Sequence, residues 1–266
     1  MKKSACIEMM FTEVPFEERF KLAKQAGFDY IEFEMWDDKD IDNIKKLCIS
    51  NNLKVAAISG GRSLSHNYSM IYDSKNYIEF VKKSIKTASF LGCGNLVILS
   101  NAITKDEINN TGSTIDERTD IPDSEKFINI FNSLRILAPF AEEADVTLQL
   151  EALNSMVNYG GYFLNRTKDA ASIVKIIDSP NVRILYDIYH MQIMEGNIIE
   201  TLKKYIDYIG YVHFADVPGR HEPGTGEINY GKIMETLKEL KYDKIIGYET
   251  IPIKTTTEAV KEIMRY

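Results

Sequence analysis

Apolar β-forming runs and amphipathic helical stretches alternate eight times along this chain, and that alternation restricts the fold more than any other feature. Residues 5–10 read as a first strand. Pro15 stands where a helix start favours it, and Phe16, Phe20, Ala23 and Ala26 keep helical spacing until Gly27. Strands are then expected over 30–34, 54–59 and 95–100, with helices over 41–51 and 75–91 between and after them. The second half repeats the scheme. Strands fall at 146–150, 182–186, 209–213 and 245–248, and helices at 124–144 (with a kink expected at Pro139), 167–177, 197–208, 230–240 and 256–264. Residues 104–123 hold no regular pattern; placed between a strand and a helix, they are expected to form a lid.

Strict strand–helix alternation implies a parallel sheet with helical crossovers. An open, doubly wound sheet would want a glycine-rich phosphate turn after its first strand, and residues 9–15 contain no glycine. The expectation is therefore an α/β fold, a single (β/α)8 barrel of eight parallel strands ringed by helices. No low-complexity linker interrupts it, so residues 1–266 are expected to form one domain. A chain of 266 residues suits one such barrel, and its 44% hydrophobic content supplies the core.

Charge and cysteine usage narrow the function classes. A net charge of −7 and no Lys/Arg cluster speak against a nucleic-acid partner. No uncharged apolar stretch approaches the ~20 residues of a membrane span, and the N-terminal residues lack a cleavage pattern. Cys6, Cys48 and Cys93 form no CxxC, which suits reduced thiols. A cytoplasmic protein with no membrane partner is expected.

Four polar residues end the last four strands: Glu151, Asp187, His213 and Glu249. Their spacings of 36, 26 and 36 residues suit neighbouring strands of a closed barrel, whose strand ends all reach one rim. Singly, each has a plainer role: a solvated strand end, a cap for the next turn, a hydrogen-bonded interior histidine. Together, three carboxylates and one imidazole make a mixed oxygen–nitrogen site for one divalent cation. Mn²⁺, Mg²⁺ and Co²⁺ fit it, and Zn²⁺ is possible though no thiolate is on offer. After the seventh strand, residues 217–227 form a loop rich in glycine, proline and charge, expected to wall the site.

The runs MFTEVPF (10–16), YDIYHMQ (186–192) and DVPGRHEPGTGEINY (216–230) resemble the hydroxypyruvate isomerase family, within the wider xylose-isomerase-like sugar isomerase and epimerase TIM barrels. The resemblance spans nearly the whole chain and implies a divalent metal held by Glu151, Asp187, His213 and Glu249. It implies further that Glu151 and Glu249 are the catalytic acid/base pair, and that the chain forms a homodimer or homotetramer. Many hydroxypyruvate isomerase-like members carry Gln where this chain has His213, whereas ketose 3-epimerases carry His. Residues 154–160 and 60–66 also depart from the group, and those loops shape the pocket.

The expected reaction is proton transfer α to a carbonyl, through a cis-enediolate, on a small hydroxy-carbonyl acid or sugar. His190 is expected to bind substrate, or else to orient Asp187. Arg220 is expected to clamp an anionic or hydroxyl-rich end of the substrate, or else to pair with Glu222 or Glu227. Glu227 is placed behind the ligands. Trp36 is a candidate either to stack on a sugar or to pack, residues 162–164 belong to the core at a helix start, and His66 and His221 have no assigned role. Rival readings are a ketose 3-epimerase, an inosose-dehydratase-like lyase, an endonuclease-like barrel and a non-catalytic sugar-binding barrel.

Overall fold

A computed structural model describes residues 1–63, 66–103, 115 and 117–266. Eight parallel strands close into a barrel in chain order: β1 (Lys2–Cys6), β2 (Tyr30–Phe33), β3 (Lys54–Ser59), β4 (Asn95–Ile98), β5 (Thr147–Glu151), β6 (Val182–Asp187), β7 (Ile209–Phe214) and β8 (Ile245–Tyr248). β8 pairs with β1 from Lys2↔Ile245 to Ala5↔Tyr248, which shuts the ring and leaves no edge. The helices are α1 (Phe16–Gln25), α2 (Ile41–Ser50), α3 (Ser74–Leu91), α4 (Asp123–Glu143), α5 (Thr167–Ile177), α6 (Ile188–Met194), α7 (Ile198–Tyr205), α8 (Tyr230–Glu239) and α9 (Thr256–Ile263). A short 3₁₀ turn, Ile206–Tyr208, leads into β7.

Such strands are covered on both faces and read as nearly continuous apolar runs. Their outward side chains, among them Ile31, Val55, Leu148, Ile184 and Val212, join Phe20, Val81, Leu134 and Leu237 of the helices in one buried cluster. Inside the barrel, Ala57, Leu185 and Tyr211 form a second, small apolar cluster below the rim. The period of two along a strand then dictates what lies above. Two residues beyond Gln149, Leu185, Tyr211 and Gly247 come Glu151, Asp187, His213 and Glu249.

Several boundaries differ from expectation. The first strand is Lys2–Cys6 rather than 5–10, because the chain turns at once: the Met10 N–H donates to the Cys6 carbonyl at 2.9 Å. The helix expected over 197–208 ends in the 3₁₀ turn, and α4 runs unbroken through Pro139. α6 was not expected. Residues 162–164 are loop rather than a helix start, though Tyr162 and Leu164 are buried as expected. Most of the segment read as a lid, residues 104–114 and 116, lies outside the described residues. Among those described, no helix is long and apolar enough to cross a membrane.

Candidate active site

The four strand-end residues meet. One ligand atom from each of Glu151, Asp187, His213 and Glu249 lies within 4.8 Å of the others. His213 Nδ1 is at the centre, 3.0 Å from Glu249 Oε2, 3.8 Å from Glu151 Oε1 and 3.9 Å from Asp187 Oδ2. Glu151, Asp187 and His213 are buried. Strand register sets these levels: Asp187 pairs with His213 across β6 and β7, and His213 with Gly247 across β7 and β8.

Glu151 Oε1, Asp187 Oδ2 and His213 Nδ1 are buried and none completes a hydrogen bond. A buried polar atom without a partner costs about 1–3 kcal/mol, and more when charged. Three such atoms aimed at one point are costly in the protein alone and suit ligation of a cation. Oxygen donors with one imidazole fit Mn²⁺, Mg²⁺, Co²⁺ or Zn²⁺.

Packing three carboxylates together splits their acidities. Burial pushes the Glu151 carboxyl well up, and the charge of Glu249 adds to it. Asp187 rises to about 6 through burial, with Arg220 and His213 opposing. Glu249 goes the other way: burial would raise it, but Arg220 and His213 hold it well below the usual range. His213 is likewise penalised by burial, yet Glu32 and Glu249 hold it well above the usual histidine value. Burial, then the nearby Arg220, pushes His190 far down, so it is neutral.

Arg220 is 3% exposed although it sits in a polar loop. Its Nη2 bonds Glu249 and lies 3.6 Å from Asp187 Oδ2, and Nη1 donates to the Tyr159 hydroxyl at 3.4 Å. The loop pairing considered for it does not form. Glu222 instead accepts from the Ile253 N–H at 3.2 Å, and Glu227 is exposed, accepting from Gln192. The position of Glu227 behind the ligands is thereby corrected; Glu32 stands there. Its Oε2 accepts from the Tyr211 hydroxyl and its Oε1 lies 3.2 Å from His213 Nε2.

His190 is fully buried against Asp187, its backbone N–H donating to Asp187 Oδ1 at 3.2 Å. Asn154 Nδ2 lies 2.7 Å from His190 Nδ1. Donation by that amide leaves the proton on Nε2, which is 3.5 Å from Asp187 Oδ2. Trp36 packs: it stacks on Phe80 with ring centroids 5.5 Å apart and donates to Ser84. His221 holds the Ile251 carbonyl with Nδ1 at 2.7 Å, and the His66 ring stacks on Tyr68.

A pocket opens against Glu151, His213 and Glu249, with Arg220, Tyr159 and a Glu34–Arg62 ion pair in its wall. Sequence reasoning gave no role to Glu32 and Glu34, and it placed Arg62, Tyr159 and Asn154 only within the two loops expected to shape the pocket. A signal existed for the first two. Charges at i and i+2 in a strand otherwise apolar are out of place where both sheet faces are covered, unless they face a polar interior.

This geometry has relatives. Residues 20–266 match the family described as xylose isomerase-like TIM barrel. The chain belongs to that family. Within it, the chain is 30% identical to hydroxypyruvate isomerase of Escherichia coli (strain K12), covering 97% of this chain and 96% of that one. It is 29% identical to 2-oxo-tetronate isomerase of Haemophilus influenzae, covering 100% and 99%. Among solved structures, one described as AP endonuclease, family 2, from Brucella melitensis shares the fold at a TM-score of 0.86. It is 27% identical and covers 100% of this chain and 98% of that one. As a family member, this chain carries its four clustered residues at the strand ends that form the functional face of such barrels.

Proposed function

We propose that this protein is a divalent-metal-dependent isomerase acting on a small hydroxy-carbonyl compound, a hydroxypyruvate-like or 2-oxo-tetronate-like acid or a related sugar. One observation carries the reading: the convergence of Glu151, Asp187, His213 and Glu249 within 4.8 Å, three of them offering buried atoms without partners. The isomerase names of relatives matched over nearly their whole length support the reaction class.

In this reading the four residues hold the cation. A bound divalent cation supplies Lewis acidity, lowering the cost of negative charge on the substrate's carbonyl and hydroxyl oxygens. The chain's own residues move the proton. Glu151, at the end of β5, and Glu249, just past the end of β8, are the acid/base pair that takes the α-proton and returns it to the neighbouring carbon through a cis-enediolate. They are not equivalent: Glu249 carries Arg220 directly, whereas Glu151 Oε1 has no partner. Arg220 keeps guanidinium hydrogens beside the cavity for a carboxylate or hydroxyl of the substrate. His190, neutral and held by Asn154, positions Asp187 and presents its Nε2 hydrogen towards the cluster. Excluding water from so buried a floor strengthens each of these interactions.

The presence of His213 favours a second reading with the same machinery, epimerisation at a single carbon of a free ketose. The nuclease name of the Brucella protein is not carried over, since a net charge of −7 disfavours a polyanionic substrate. Incubation with 2-oxo acids, tetroses, pentoses and hexoses in deuterated water with Mn²⁺ separates these outcomes. Isomerisation moves the carbonyl to the adjacent carbon with label incorporated, and epimerisation inverts one centre with label there. Ligand binding without solvent-proton exchange at any metal loading would defeat both. Glu151→Gln and Glu249→Gln should each lower kcat by about 10²–10⁴-fold while circular dichroism shows a folded barrel. Near-wild-type turnover by either variant would refute the acid/base assignment.

A further inference from the structure

We propose that Glu32 and Tyr211 form a buried relay behind His213 that fixes its imidazole with Nδ1 towards Glu151, Asp187 and Glu249. The inference rests on reading those four residues as cation ligands, and it assigns positioning roles to two residues outside that set.

Glu32 belongs to β2, separated from β7 around the ring by two strands, β1 and β8, and it reaches His213 across the barrel interior. It is 4% exposed. Among the described residues, His213 is the basic group within ion-pair distance of its carboxylate, at 3.2 Å from Nε2. A carboxylate is seldom kept in an interior unless it is paired, because desolvation is costly. Its other oxygen accepts from the Tyr211 hydroxyl, which points the carboxylate and prevents it from turning away. Tyr211 lies two residues before His213 on the same inward face, and its ring meets the imidazole edge-on at 5.4 Å.

A neutral imidazole carries its hydrogen on one nitrogen and its lone pair on the other. Carboxylates flank both nitrogens, Glu249 at 3.0 Å from Nδ1 and Glu32 at 3.2 Å from Nε2. With a cation on the Nδ1 side the ring would be neutral, and its hydrogen would be left to Nε2, where Glu32 can receive it. The lone pair is then left on Nδ1, the atom that faces the three clustered carboxylates. Groups of this kind behind a ligating histidine fix its orientation and raise its basicity. The space for the relay is itself made by the sequence. A Cβ at Gly247 would lie 2.6 Å from both Glu32 oxygens and 2.7 Å from His213 Cδ2, so any larger residue on β8 would displace the pair.

The test is Mn²⁺ affinity of the full chain after chelator stripping, read from the paramagnetic resonance of free Mn²⁺, together with the visible spectrum of the Co²⁺-loaded protein. Glu32→Gln should weaken Mn²⁺ binding by about 10–100-fold, and Tyr211→Phe by about 3–10-fold, with shifted Co²⁺ bands. Introduced into a His213→Ala background, Glu32→Gln should cost nothing further, because its path to the cation is already gone. Should Glu32→Gln fail to fold, Tyr211→Phe, which removes one hydroxyl, carries the same expectation. Binding within twofold of wild type with unchanged Co²⁺ bands would overturn the proposal, as would an equal loss in the His213→Ala background. Wild-type protein that bound no Mn²⁺ would overturn both the relay and the ligand assignment beneath it, an outcome distinct from failure of the variants alone.

Discussion

Asp187 shows how one side chain can serve fold and site together. Its Oδ1 caps α6 by accepting the His190 N–H, and its Oδ2 faces the cluster without completing a hydrogen bond. The plain reading of a helix cap holds for one oxygen, and the proposed ligand role falls to the other. Burial raises its pKa from 3.8 to about 6, and a carboxyl raised in the folded state contributes stability below its unfolded value that is lost as pH rises through the folded one. Metal-stripped wild type should therefore lose stability relative to Asp187→Asn as pH rises from 3.8 through about 6, measured by urea unfolding in chelator. A parallel pH dependence of the two proteins would contradict this. His190 and Arg220 were visible in the sequence as residue types at suggestive positions, but their partners were not. Asn154 is 36 residues from His190 and Glu249 is 29 from Arg220, distances over which spacing carries no information about contact.

At the scale of elements, long periodic stretches were legible and short ones were not. α5 and β8 have the boundaries expected, because eleven residues of helical period or a compact apolar run between turn signals leave little choice. α6 is seven residues long, too short to establish a period, and it forms because Asp187 caps it at the rim. The loop after β7 also defied its composition. Its polar, glycine-rich composition argues against a place in the core, yet Asp216, Arg220 and Glu222 within and beside it are buried, and Arg220 walls the site as expected. Asp216 organises it, with Oδ1 accepting from the Val217 and Ile228 N–H groups at 2.9 and 3.1 Å and Oδ2 from Gly224 N–H at 2.9 Å. Gly226 permits that closeness, since a Cβ there would fall 2.0 Å from the Val217 carbonyl oxygen. Asp216→Ala strands three backbone donors at about 1–3 kcal/mol each. It should cost about 3 kcal/mol or more in denaturant unfolding and raise KM by freeing the loop that carries Arg220. An unaltered midpoint and KM would show that the loop holds itself by other means.

For the whole molecule, barrel closure decides function, because it brings the ends of β5 to β8 to one rim. If the clustered residues bind a cation, folding and binding are linked. Chelation should abolish turnover, and Mn²⁺, Mg²⁺ or Co²⁺ should restore it. The same ions should raise the melting temperature, with a stabilisation of about 2.7 kcal/mol when the free ion is at a hundred times its Kd. Full activity after verified metal removal, or a melting temperature indifferent to added ion, would remove the cation from the mechanism.

The amino-acid order alone determined the barrel and the four residues at its rim. Strand–helix alternation is a local property, and a polar residue ending an apolar run is visible without knowing what it faces. Only the closed ring decided which distant groups stand behind them. Glu32 and Tyr211 are 179 residues apart and become neighbours because the inward faces of β2 and β7 share one interior. Contact across a barrel follows from strand register and closure, and neither quantity is written in any single segment of the chain.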